Sequence, residues 1–148
     1  MNHRKQGVSP ELDELSSTLV GMGLDLLADG SDVNVLLAVG DAKGMVASYE
    51  FADDGPEELL EAAHDRVGEL AKSKGDREAG LGEPVRYALV YEGMVADETG
   101  AFRDALILEF GEKNWQAYSA YSLYEGKGSG DGFAWTDPAP AGEIEPLL

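Results

Sequence analysis

The chain has 148 residues, and its 29 aspartates and glutamates outnumber its 11 lysines and arginines, so the formal charge at pH 7 is −18. A surface with this charge repels phosphate backbones and anionic lipid headgroups, which excludes most proteins that bind nucleic acid or a membrane surface. Cysteine is absent, so disulfides, thiolate nucleophiles and cysteine-ligated zinc are excluded as well.

The N-terminal half predicts an arm, two helices and a β-hairpin. Residues 1–8 hold no apolar run, so we expect a disordered arm without a signal peptide, no transmembrane helix and a cytoplasmic protein. Ser9-Pro10 is typical of a helix start, and leucines at helical spacing follow it up to Asp29-Gly30. Apolar runs over 33–39 and 45–51 predict paired strands. The segment 53–56 then predicts the cap of a second helix.

The C-terminal half predicts three strands and a tail. Apolar and aromatic runs over 85–96, 103–110 and 115–124 are separated by short polar joints, so they predict an antiparallel meander. Residues 126–148 contain many Gly, Pro and acidic residues, and we predict a tail that packs on the domain or on a partner. We therefore predict one α+β domain over 9–125. Its mostly antiparallel sheet has five strands, in the order helix, two strands, helix, three strands.

This order of elements resembles that of roadblock and longin-type domains, which are regulatory and dimerising modules rather than enzymes. The resemblance covers the order of the elements and no residue motif, and an extended tail stands where those families have a closing helix. The resemblance implies a non-catalytic module that associates with other protein chains.

The second helix carries one acid every four residues, which places these acids in a single row. The row consists of Glu57, Glu61, Asp65 and Glu69. Like charges at this spacing each cost about 0.2–0.5 kcal/mol. The row is therefore either a docking face for a basic partner or, as we favour, a solvated outer face opposite the apolar positions. The first interpretation predicts an acidic inhibitor or immunity-type protein.

We find no catalytic or metal-binding motif in the sequence. His64 is the sole histidine of the predicted domain, and it lies at the border of the apolar face of the second helix. It does not face Asp65, because adjacent residues on a helix point apart, so we interpret it as a structural histidine. The acid pairs at 53–54 and 97–98 have capping and turn roles. We therefore predict no catalytic residue, no metal site and no cofactor.

Aromatic residues concentrate in the predicted meander and tail. They are Tyr87, Tyr91, Trp115, Tyr118, Tyr121, Tyr124 and Trp135. Both faces of the strand over 85–96 are apolar, which predicts either a helix on each face or a face that meets a second copy of the chain.

Two roles follow for these aromatic residues. As an interface they predict self-association, and a non-catalytic homodimer or regulatory module is our leading prediction. As a pocket between sheet and helix they predict a small-ligand-binding protein or an enzyme. The residues expected to line that pocket are Tyr87, Tyr91, Trp115 and Tyr121.

Overall fold

The computed structural model describes residues 4–52 and 55–148, which form two α-helices and one antiparallel sheet of seven strands. The elements are α1 (Pro10–Ala28), β1 (Val35–Asp41), β2 (Val46–Phe51), α2 (Pro56–Ser73), β3 (Pro84–Ala96), β4 (Phe102–Glu112), β5 (Ala117–Glu125), β6 (Ala134–Trp135) and β7 (Ala139–Ile144). The strand order is β2-β1-β3-β4-β5-β6, and β7 pairs with the same edge of β5 as β6. Among the described residues, no helix is long and apolar enough to cross a membrane.

The predicted α+β class and antiparallel sheet are confirmed, but the prediction of five strands is wrong. The tail contributes β6, which pairs with residues 124 and 125, and β7, which pairs with residues 117–121. Backbone groups along the outer edge of β5 need hydrogen-bond partners, and the tail supplies them. An edge strand tolerates Pro140 and Gly142 because only one of its sides enters the ladder, and the register shifts between Ser119 and Ala120.

Helix α1 packs on one face of the sheet. Ser9 is its N-cap, as predicted, and accepts a hydrogen bond from the Leu12 backbone N–H at 3.1 Å. Leu12 and Leu27 are fully buried against the sheet. At Gly23 the helix comes so close that an added Cβ would lie 2.9 Å from Cδ2 of Leu106. This contact fixes α1 above β3 and β4.

Helix α2 packs on the opposite face. Ala63 and Val67 are fully buried there, together with Tyr87 and Leu89 of β3. Their neighbours at 88 and 90 belong to the core under α1, because successive side chains of a strand point to opposite faces. The two-sided apolar pattern of β3 therefore comes from a helix on each of its faces.

The start of α2 and the N-terminal arm differ in part from the prediction. Helix α2 begins at Pro56 with Gly55 as its N-cap, and Asp53 and Asp54 lie outside the described residues. Residues 1–3 of the predicted arm also lie outside them. Lys5, by contrast, donates its backbone N–H to the Asn114 carbonyl at 2.9 Å and accepts from the residue-116 N–H at 2.8 Å.

Candidate functional site

An open apolar cleft lies between α1 and the strands β4, β5 and β7. Its volume of about 870 Å³ falls in the range of roughly 300–1,000 Å³ that is typical of small-molecule sites. The lining residues are Gly7, Val8, Asp13, Ser16, Ser17, Val20, Gly21, Leu24, Leu108, Phe110, Tyr118, Ser119, Ala120, Trp135, Pro138, Pro140, Gly142 and Glu143.

Small residues on α1 keep the helix side of the cleft open. Ser16, Ser17 and Gly21 face this space, where larger side chains would reach toward β5 and β7. An added Cβ at Gly21 would meet no heavy atom within 4 Å, whereas one at Gly23 would meet Leu106 at 2.9 Å. The same helix therefore packs tightly over β4 but leaves an unfilled space beside β5.

The opposite wall is held in place by stacked aromatic rings. The Trp135 ring stacks on Phe133 at a centroid distance of 5.8 Å, and Phe133 lies 5.8 Å from Tyr124. Phe133 and Tyr124 are buried, whereas Trp135 is 56% exposed. Two buried rings thus support a tryptophan whose own ring stays accessible at the mouth of the cleft.

Glu92 fixes the segment that carries this wall. Its Oε1 accepts hydrogen bonds from the Tyr124 hydroxyl at 2.7 Å and from Lys127 Nζ at 3.0 Å. Its Oε2 accepts from the Val33 backbone N–H at 2.8 Å. The hydrogen bond to Asp32, with that to Glu92, raises the pKa of Lys127, and burial raises the pKa of Tyr124. One carboxylate therefore joins β3, β5 and the loops before β1 and β6.

The two ends of the cleft differ in polarity. Tyr118 pairs in register with Glu143, and its hydroxyl accepts a hydrogen bond from the residue-7 backbone N–H at 2.8 Å. Asp13, near the start of α1, lines the cleft at this end as well. Leu24 and Trp135 line the other end. The described lining residues include no lysine or arginine, so the cleft has an acidic end and an apolar end.

Ser16 lines the cleft, but its hydroxyl oxygen is buried within the wall. Its residue exposure is 6%, and its Oγ has no hydrogen-bond partner within the described part of the chain. A buried hydroxyl without a partner costs about 1–3 kcal/mol, so such groups are uncommon and need an explanation. Because the Ser16 oxygen is shielded from the cleft, its cost falls on the stability of the fold.

A second polar cluster lies on the α2 face of the sheet. His64 Nε2 lies 2.8 Å from Glu109 Oε1, and the Tyr91 hydroxyl donates to Glu109 Oε2 at 3.2 Å. The hydrogen bond to Glu109 raises the pKa of His64 against the opposing effect of burial, and burial together with the Glu109 charge raises the pKa of Tyr91. The cluster links α2 to β3 and β4.

The partner of His64 was not identified from the sequence. The two residues are 45 positions apart, so no local spacing joins them. The signal in the sequence is Glu109, an acid that directly follows the apolar residues 105–108. Its side chain is only 14% exposed, and a buried carboxylate requires a partner.

The predicted aromatic residues are divided between the two faces and the end of the sheet. Tyr118 and Trp135 line the cleft, and Tyr124 is buried behind Trp135. Tyr87 is fully buried in the core under α2, and burial raises its pKa to about 12. Tyr91 is half-buried beside the second cluster.

The remaining two aromatic residues lie elsewhere. Trp115 precedes β5, and Lys5 Nζ lies 5.3 Å from the centroid of its ring. Tyr121 lies in a depression with Arg103 and Leu123. None of the four residues predicted to line a pocket, at positions 87, 91, 115 and 121, contributes to the described cleft.

The acidic row lies on α2, on the other side of the sheet from the cleft. Its members Glu57, Glu61, Asp65 and Glu69 are all exposed. Arg66 Nη1 lies 3.7 Å from Glu69 Oε2. This ion pair partly offsets the negative charge at the last member of the row. Binding of a basic partner by this row stays a prediction.

Comparison of the chain with protein-family models, with curated proteins and with solved structures finds no match. Within residues 4–52 and 55–148, no group of three or more His, Asp or Glu side chains is placed to hold a metal ion.

Proposed function

We propose that this protein is a non-catalytic binding protein that holds an apolar small molecule in the cleft between α1 and strands β5 and β7. The observation that carries the proposal is an open cleft of about 870 Å³ whose lining is mostly apolar, with a few polar residues at one end. Apolar walls with a few polar groups are typical of small-molecule sites.

The side chains around the cleft support a site that is preformed. Phe110 and Trp135 line the cleft and keep part of their apolar surface exposed, although residues that face water on a strand are usually polar. Transfer of such apolar surface out of water contributes about 25 cal/mol per Å². A ligand that covers these side chains therefore gains binding energy without a rearrangement of the fold.

Two matched glycine variants test the proposal. Gly21 lies on α1 at the cleft, and Gly68 lies on α2. An added Cβ meets nothing within 4 Å at either position. Replacement of a helical glycine removes a destabilising residue in both cases, so neither variant is expected to unfold the protein. Only Gly21→Leu places a side chain in the cleft.

The measurement is binding of the uncharged apolar dye Nile red, followed by its fluorescence. We expect the wild-type chain and Gly68→Leu to bind it equally and Gly21→Leu to bind it about tenfold more weakly, a loss of about 1.4 kcal/mol. Equal binding by all three chains, or no binding by the wild type, would refute the proposal.

Self-association is a second candidate function, and one observation favours it. Strand β2 is at the end of the strand order, and Met45 and Val46 beside its edge are 47% and 48% exposed. An exposed apolar edge strand can pair with the same strand of a second copy. Light scattering should then give a dimer mass for the wild type and a monomer mass for Val46→Lys. A wild-type monomer would exclude this candidate.

A further inference from the structure

We infer that the ligand is a single-chain amphiphile with a cationic head group, an inference that rests on the proposed binding function. The cleft is elongated along α1. Asp13 and Leu24 both line it and are eleven residues apart on the helix, which corresponds to about 16 Å at 1.5 Å per residue. A chain-like molecule fits this shape better than a compact one.

The change in polarity along the cleft orients such a molecule. At one end lie the acidic residues Asp13 and Glu143 and the polar Tyr118; at the other lie Leu24 and Trp135. An apolar tail therefore belongs beside Trp135, and a polar head group belongs between α1 and β7.

The charge at the polar end selects the sign of the head group. No ion pair of the described residues involves Asp13 or Glu143, so both carboxylates are available to a ligand. A carboxylate or phosphate head group would meet two like charges with no lysine or arginine in the described lining. An ammonium group would meet two opposite charges, and the chain's formal charge of −18 adds to the same preference.

The test uses the full chain and three probes that share one alkyl chain: dodecylamine, dodecanol and dodecanoate. Each probe competes with Nile red below its micelle concentration, at low salt and neutral pH. We expect dodecylamine to compete about tenfold more strongly than dodecanoate, because the head group interacts with two carboxylates. Dodecanol should compete as well, because the tail occupies the apolar end.

A pair of double variants separates the local carboxylates from the overall charge. Asp13→Asn with Glu143→Gln removes two charges at the cleft, and Asp25→Asn with Glu145→Gln removes two charges from α1 and the tail outside the lining. We expect the first pair to abolish most of the preference for dodecylamine over dodecanoate and the second pair to keep it.

The possible results distinguish the two proposals. If no probe displaces Nile red and the dye itself does not bind at the cleft, the binding function fails and this inference fails with it. If dodecanol competes but dodecylamine is no better than dodecanoate, the cleft binds ligands and only the assignment of a cationic head group is overturned. The same holds if the preference survives equally in both double variants.

Discussion

The buried hydroxyl of Ser16 gives a prediction in which the stability of the fold changes and ligand binding does not. Replacement of Ser16 by Ala removes a polar group that is 6% exposed as a residue and has no partner in the described chain. Serine in a helix costs about 0.5 kcal/mol relative to alanine. Removal of an unpaired buried hydroxyl should add about 1 kcal/mol to the free energy of unfolding. This value is in the lower part of the usual range because the substitution leaves a small void.

Ser17 is the matched control. It is the next residue of α1 and lines the same cleft, but it is exposed, so its hydroxyl can bind water. Ser17→Ala should therefore raise the free energy of unfolding by the helix contribution of about 0.5 kcal/mol alone. Ser16→Ala should raise it by about 1.5 kcal/mol, which corresponds to an increase in Tm of about 3–6 °C for a chain of this size.

The assay is urea unfolding followed by circular dichroism, with and without dodecylamine. Without the probe, Ser16→Ala should be the more stable variant. With the probe, the wild type and Ser16→Ala should gain the same stability, because the buried hydroxyl does not reach a ligand in the cleft and the added stability depends only on the affinity of the folded state. A Ser16→Ala protein that is no more stable than Ser17→Ala would show that the hydroxyl is satisfied in solution, and this reasoning would be wrong.

Three further predictions concern the groups that position the cleft and the second cluster. Glu92→Ala should lower the free energy of unfolding by about 2–3 kcal/mol in urea titrations, because the buried groups that donate to this carboxylate lose their acceptor; Glu92→Gln, which keeps an acceptor oxygen, should lose less. Gly23→Ala should lower the Tm despite the better helix propensity of alanine, because its Cβ would lie 2.9 Å from the buried Leu106; an increase in Tm would contradict the close packing. The pKa of His64 is raised in the folded state, so its pairing with Glu109 should stabilise the protein fully below the unfolded value of about 6.5 and lose that contribution as pH rises through the folded pKa. Urea unfolding across this pH range should show that decrease, and His64→Gln should remove it.

The second cluster is a polar site of which the sequence predicts one member and not its partner. His64 was recognised as a residue at the border of an apolar helix face, which depends only on helical periodicity. Its partner Glu109 comes from β4 and meets it across the packing of α2 on the sheet. Neighbours in sequence cannot reveal such a pair, because the register of a helix on a sheet is set by the whole core.

The candidate cleft was only partly predictable for the same reason. Tyr118 and Trp135 were expected among the aromatic residues of a pocket or interface, and both line the cleft. The expected lining residues Tyr87 and Tyr91 belong to the α2 face of the sheet instead. The alternation of side chains along a strand assigns residues to the two faces of the sheet. It does not predict which part of a face stays uncovered by a helix.

Local interactions determined the elements up to residue 125. The cap at Ser9, the helical spacing of the leucines and the short turns between strands each act within a few residues, and these signals predict the α+β class, two helices and a mostly antiparallel sheet. The fold of the tail and the position of the cleft depend instead on tertiary packing. The tail forms β6 and β7 because the distant edge of β5 offers unpaired backbone groups. The cleft lies between α1 and this extended sheet, and an added Cβ at Gly21 would meet no heavy atom within 4 Å there. These outcomes depend on contacts between residues far apart in the chain, which no local pattern encodes.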